Sequence, residues 1–227
     1  ADRGFGLRPV TRGHLSYTSL GEPVSTGVPT LDELMNGGYR RASCTLISGS
    51  SGTGKTILAA SFVRSVTRRG ERVLYIDFEE SEDFLVSTML SPGVDLRPSL
   101  ESGYLRFVAR LPESRGVEEH LVEALRLMEE IEPSFIVVDA ISACRRMGSR
   151  QAAFDYLLRL VGRAKERGIT SLLTNLTTNS ATEQEITGID LSSVIDTVIL
   201  LRNVESGKRY HRELRVLKSR GTAHSTA

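Results

Sequence analysis

The residues with the clearest chemical purpose are Gly49-Ser50-Ser51-Gly52-Thr53-Gly54-Lys55-Thr56. They match G-x-x-x-x-G-K-[ST] at every position, a spacing that lets a glycine-rich backbone close around phosphate groups. Backbone N–H groups of Gly52, Thr53, Gly54 and Lys55 can converge on a polyphosphate. A helix running on from Thr56 adds the positive end of its dipole. The Lys55 ammonium would neutralise charge on the β and γ phosphates, and the Thr56 hydroxyl would ligate magnesium. The expected chemistry is binding of Mg·ATP and action on its terminal phosphate.

Two further groups of carboxylates fit that chemistry. Asp139 ends the apolar run Phe135-Ile136-Val137-Val138. An aspartate at the end of such a strand can hold magnesium directly or through water, although an ordinary strand-end turn has the same form. Glu79-Glu80 follows the strand-like run Val73–Phe78. A carboxylate there can take a proton from an attacking water or hydroxyl. The same pair would also suit the first turn of a helix, where the dipole favours acids.

These residues need elements to position them. Residues 1–29 are rich in Gly, Pro, Ser and Thr and read as a linker or strap. A short helix follows, with Thr30 and Glu33 at capping-box spacing and Gly37-Gly38 ending it. Strands are expected at Cys44–Ser48, Val73–Phe78, Tyr104–Val108, Phe135–Val138 and Ile169–Thr174. Helices are expected at Thr56–Arg68, Ser81–Leu90, Val117–Ile131 and Ala152–Arg167. Thr197–Val204 and Arg212–Lys218 read as a final hairpin turning at Ser206-Gly207. Near-continuous apolar strands between amphipathic helices imply an α/β fold: a mostly parallel sheet covered on both faces, with an antiparallel hairpin at one edge.

The composition agrees with one compact domain. The chain has 227 residues, 40% hydrophobic and 25% charged, and a formal net charge of +1. So balanced a charge sets up no global field towards nucleic acid or a membrane. Cys44 and Cys144 are the only cysteines, and both sit in apolar runs. They read as small buried hydrophobes rather than a disulfide framework or zinc site, which fits a reducing cytoplasm. No apolar run approaches the length of a membrane helix. The chain starts at Ala1 without methionine and ends soon after a strand-like stretch, as a domain cut from a longer protein would.

Together these motifs resemble the RecA/KaiC group of ATPases. The segment Ser25–Glu33, then Gly37-Gly38, then the phosphate loop carries the group resemblance. Phe78–Ser81, Asp139–Ala143, Leu191–Leu201 and Lys218-Ser219-Arg220-Gly221 point to the KaiC family within it. The resemblance runs from about Val24 onward. It is strongest to the second, autokinase domain of the tandem-domain circadian clock proteins of this family.

The resemblance implies a RecA-like fold, with residues 1–24 as linker or strap, 25–221 as ATPase and autokinase domain, and 222–227 as a truncated tail. It implies a hexameric ring with ATP between subunits. It also implies a regulatory switch of circadian type in which phosphate passes from ATP to a neighbour's hydroxyl pair. Ser192-Ser193 occupies that pair's position, with serine where the family usually has threonine, and Thr187 matches a neighbouring threonine linked to phosphate. Glu79 matches the glutamate that accepts the hydroxyl proton and helps hold magnesium, and Glu80 its partner. Nucleotide contacts extend to Ile57 after the loop. From an adjacent subunit, the resemblance adds Arg212 and the segment Lys218–Gly221, whose Lys218 and Arg220 reach the γ-phosphate. The family's tail binds a regulatory protein partner, and this chain stops at Ala227.

Two other functions share the loop and sheet. One is a RecA/DnaB-type ATPase stimulated by nucleic acid; the other is a weakly active ATP-binding scaffold. A nucleic-acid ring wants basic and aromatic residues in its central loops. The stretch Thr177–Glu185 has neither, which argues against nucleic acid; Arg145-Arg146-Met147-Gly148-Ser149-Arg150 is basic, but Arg146 aligns with a family arginine.

Overall fold

A computed structural model describes residues 19–177, 191–206 and 209–220. The main sheet has seven strands, and its flanking helices lie on both faces.

Two short strands, β1 (Pro23–Val24) and β2 (Tyr39–Arg40), pair antiparallel around helix α1 (Pro29–Leu34). The expected capping box is not used. Proline fixes φ for the first helical turn, so the helix starts at Pro29, with Val28 before it and no side-chain cap. Thr30 is therefore already inside the helix. Asp32 ties the segment down instead. Its carboxylate accepts hydrogen bonds from the Thr26 backbone N–H (2.6 Å), the Thr26 hydroxyl (2.7 Å) and the Ser25 hydroxyl (2.5 Å).

The main sheet then builds in alternation. Strand β3 (Cys44–Gly49) leads into helix α2 (Lys55–Thr67), and β4 (Val73–Asp77) into α3 (Glu82–Leu90). A one-turn helix α4 (Arg97–Glu101), not foreseen from the sequence, precedes β5 (Leu105–Ala109). Five residues are too few to display a helical period. Helix α5 (Val117–Ile131), β6 (Phe135–Asp139), α6 (Arg150–Glu166) and β7 (Thr170–Leu176) follow. A 3₁₀ segment at Ile141–Met147, also unforeseen, links β6 to α6. Strands β8 (Thr197–Ser206) and β9 (Arg209–Ser219) complete the order β5-β4-β6-β7-β3-β8-β9.

All neighbours are parallel except β8 and β9. The terminal hairpin is present, but its first strand runs parallel to β3, so only β9 is reversed.

Strand residues alternate between two cores. Leu74, Ile76, Ile136 and Val138 pack with α5 and α6; Val73, Tyr75, Phe135 and Val137 pack on the other face with α2 and α3. Burial on both faces explains why these strands read as unbroken apolar runs. Among the described residues no helix is long and apolar enough to cross a membrane.

Asp32→Ala would leave the buried Thr26 N–H without this acceptor. We expect it to lower unfolding free energy by about 1–3 kcal/mol, read by urea denaturation. A loss under about 0.5 kcal/mol would show that water or a neighbour replaces the carboxylate.

Candidate nucleotide site at the carboxyl edge of the sheet

Parallel strands end on one edge, and that edge gathers the expected residues. The loop Ser50–Gly54 leaves β3 and opens α2. Gly54 precedes the helix at φ +104°, a left-handed conformation that side chains avoid. Gly49 must lack a side chain for another reason: a Cβ there would stand 2.7 Å from the Leu201 carbonyl and from the Thr53 hydroxyl. Thr53 donates its hydroxyl to the Ser50 carbonyl at 2.8 Å, and Lys55 Nζ donates to the same oxygen at 2.9 Å. No side chain caps α2, and its first turn holds no acid, so the helix's positive end is not offset by a side chain of its own first turn.

A cleft of about 430 Å³ lies over this loop. Ser51, Gly52, Gly54, Lys55, Thr56 and Ile57 line one side. Glu79, Glu80, Asp139 and Arg212 line the rest, with Ala140 and Leu176. Arg212, expected from a neighbouring subunit, thus faces the cleft of its own chain: on β9 it pairs with Asn203, past the level of Gly49 on β3.

The acids are held in different ways. Asp77 and Asp139 are register partners on adjacent parallel strands. Asp77 accepts from the Glu79 and Glu80 backbone N–H groups at 2.8 and 2.7 Å. Burial raises its carboxyl to about 7; those two N–H groups pull it down, and the Asp139 charge pushes it further up. Asp139 accepts from the Tyr75 hydroxyl at 2.8 Å and, on its other oxygen, from the Thr174 hydroxyl. Its orientation is therefore set from both neighbouring strands. Burial likewise raises Glu80, with Asp139 and Glu79 adding to it. Burial lowers the Lys55 ammonium below its ordinary value, while Asp139 and Glu79 oppose that shift.

Glu79 lies exposed at the cleft rim. Arg146 stands 4.0 Å from it, 2.7 Å from Glu113, and donates to the Phe78 carbonyl at 3.4 Å. Tyr75 and Thr174 were not singled out from the sequence. Tyr75 is a hydroxyl in an otherwise apolar strand two residues before Asp77, a signal that could have exposed it; Thr174 shares its strand with Thr170, Ser171 and Asn175 and carries no such signal.

The remaining expected residues lie elsewhere. Lys218 pairs with Val198, which is level with Leu46, and Arg220 follows just beyond the end of β9. This is the amino edge of the parallel strands, away from the chain's own phosphate loop. Lys218 Nζ donates to the Ile195 carbonyl at 2.6 Å, and Arg220 to the Ser193 carbonyl at 3.3 Å. Burial, then the nearby Arg220 charge, lowers Lys218. Ser192 and Ser193 end a 3₁₀ turn (Leu191–Ser193) on that same edge, with Ser193 exposed. Ser219 is the last residue of β9. Thr187 and Gly221 lie outside the described residues, as does the tail from 222.

Comparison with known proteins gives this arrangement a family. Residues 24–227 match the KaiC ATPase family. The circadian clock protein KaiC2 of Synechocystis sp. is 37% identical over 226 residues, covering 99% of this chain and 40% of that protein. The circadian clock oscillator protein KaiC of Acaryochloris marina is 34% identical over 223 residues, covering 98% of this chain and 43% of its own length. That of Thermosynechococcus vestitus has the same identity and coverage. The chain thus spans about two-fifths of the relatives it matches. With a RecA-like α/β sheet and a phosphate loop at its carboxyl edge, the chain belongs to the KaiC family of ATPases.

Proposed function

We propose that this chain hydrolyses ATP and transfers the γ-phosphoryl group to Ser192 or Ser193 of an adjacent copy in a hexameric ring. One observation carries this proposal: the phosphate loop and the Ser193, Lys218 and Arg220 group sit at opposite edges of one sheet. Thr197 is level with Thr45, and Leu201 with Gly49. The Ser193 turn and Arg220 are therefore at least four residue steps from the loop, about 13 Å along the strands, and Lys218, level with Leu46, is three steps, about 10 Å. No side chain spans that gap, so donor and acceptor meet only when one chain's amino edge docks on another's carboxyl edge. Such head-to-tail contacts close into a ring when the rotation from copy to copy closes on itself, as this proposal requires.

The residues divide the work accordingly. The Gly52–Lys55 backbone and the Lys55 ammonium hold the phosphates. Glu79 takes the proton from the incoming hydroxyl as its oxygen bonds to phosphorus. The bond from the γ-phosphorus to the β–γ bridging oxygen breaks, and ADP leaves with that oxygen. Water in place of the hydroxyl gives hydrolysis. Lys218 and Arg220 from the neighbour offset charge on the transferring group, which makes activity depend on assembly. The Glu80 carboxylate, facing the same cleft, supports Glu79, and Arg212 adds a cation beside the nucleotide.

Thr56, Asp139 and Glu79 would hold magnesium, which supplies charge neutralisation at the phosphate oxygens. The donor set fits that ion. Among the described residues no group of three or more His, Cys, Asp or Glu could hold a metal alone. Magnesium is satisfied by one or two carboxylates and a hydroxyl when phosphate oxygens and water complete its shell. Phosphorylation of the Ser192-Ser193 edge would change its charge at a subunit contact. That suits a regulatory switch read by partner proteins, in keeping with relatives named for the circadian clock.

Intact-mass and phosphopeptide analysis after incubation with Mg·ATP tests the transfer, with sizing in parallel. We expect phosphate on Ser192 or Ser193 in the assembled fraction and none in Lys55→Ala. An assembled protein that hydrolyses ATP without phosphate on either serine would leave an ATPase ring and remove the kinase. A second test concerns Asp139. Tyr75→Phe frees one of its oxygens, and we expect Mg·ATP affinity to fall about tenfold, as for other residues that orient metal ligands. Affinity for ATP in EDTA should not change; an equal loss there would place the effect on the fold rather than on magnesium.

A further inference from the structure

We infer that Asp196, charge-balanced by Lys165, is a positioning residue for the adjacent subunit's ATP site: it aims Arg220 and the Ser193 turn outward from the amino edge of the sheet. It builds on the shared site proposed above and assigns a role to two residues that touch neither nucleotide nor acceptor.

Asp196 and Lys165 form an ion pair of 2.6 Å whose side chains are only 8% and 7% exposed. Stability alone does not account for such a pair. Desolvating both charges offsets their attraction, and apolar residues of similar volume often do as well or better. What an apolar pair would lack is the carboxylate, which adds side-chain contacts to the main-chain bonds that converge here. The Asp196 carboxylate accepts from the Cys44 backbone N–H at 2.8 Å, fixing it to the start of β3. Its backbone N–H donates to the Cys44 carbonyl at 2.8 Å, and its own carbonyl accepts from the Arg220 N–H at 2.9 Å. One residue thus joins the start of β3, the turn that carries Ser193, and the exit of β9.

The charges also set where Arg220 points. Lys165 takes the Asp196 oxygen that faces inward. Arg220 stands 3.9 Å from the other oxygen, with its side chain 52% exposed. Its guanidinium is anchored by the Ser193 carbonyl at 3.3 Å rather than by a tight ion pair. Because Lys165 already balances the carboxylate, Arg220 is guided without being captured. Lys218 stands alongside, held by the Ile195 carbonyl one residue before Asp196. Without the pair, the cations lose the frame that fixes their direction.

The test separates action on a neighbour from action on the chain's own fold. Lys165→Met/Asp196→Asn removes both charges together and so leaves no lone buried carboxylate. It keeps its own phosphate loop, so Mg·ATP affinity should equal wild type while turnover falls about tenfold, the loss expected when a charge-stabilising group is misaligned. Mixed one to one with Glu79→Gln, which lacks the base but presents an intact amino edge, turnover should recover. About a quarter of the contacts in a random head-to-tail ring pair a working loop with an intact edge, so about a quarter of wild-type turnover is expected. Wild-type turnover in the double variant alone, or a mixture no better than the sum of its parts, overturns the inference. An Arg220→Ala and Glu79→Gln mixture runs beside it. Recovery there, without recovery for the double variant, sinks only the role of Asp196; no recovery in either sinks the shared site. Asp196→Asn alone, taken through the same mixtures, gives the same readings if the double variant does not assemble.

Discussion

Parallel pairing on both sides of β3 is the constraint on which the rest of the molecule depends. β3 sits between β7 and β8, and both run in its direction. Its carboxyl end must therefore release the phosphate loop beside the ends of its parallel neighbours, where Asp139 and the Glu79-Glu80 pair also emerge. Its amino end must lie beside Asp196 and the turn that carries Ser193. Had β8 run antiparallel to β3, that turn would lie by the loop and a single chain could bring donor and acceptor together.

Burial on both faces then governs the chemistry. The central strands β4 and β6, covered by helices on each side, carry their carboxylates only at their ends, and there they crowd. Asp77 and Asp139 become side-by-side neighbours, and desolvation raises Asp77 towards neutrality. Asp139 accepts from hydroxyls on both flanking strands, which fix where its two oxygens point. Two aspartates at matching heights in the sheet thus acquire different characters through what surrounds them. Lys55, partly desolvated, leans on a loop carbonyl as well as on the nearby acids. The opposite edge uses another device. A buried ion pair sets the start of β3, the turn before β8 and the exit of β9 against one another, and positive charge remains at the surface.

Much of this was legible in the residues. The strand and helix alternation, the loop, the helix it opens and the aspartate ending β6 all follow from local pattern, because apolar periodicity and glycine placement are properties of neighbours in the chain. The elements that escaped were those with too little local pattern: the two-residue strands around α1, the one-turn helix α4 and the 3₁₀ segment after β6. The capping box at Thr30 failed because Pro29 starts the helix earlier. Tyr75, Thr174, Lys165 and Asp196 did not stand out, because each is an unremarkable polar residue until a distant strand supplies its partner.

The division is physical. By itself the sequence determined an α/β chain with a phosphate loop, since those features need only residues a few positions apart. Tertiary structure decided which side chains share a space. It turned Arg212 towards the chain's own cleft, sent Lys218 and Arg220 to the far edge, and joined Lys165 on α6 to Asp196 before β8. Strand direction and register are set by pairing between segments far apart in sequence, and no local pattern encodes them.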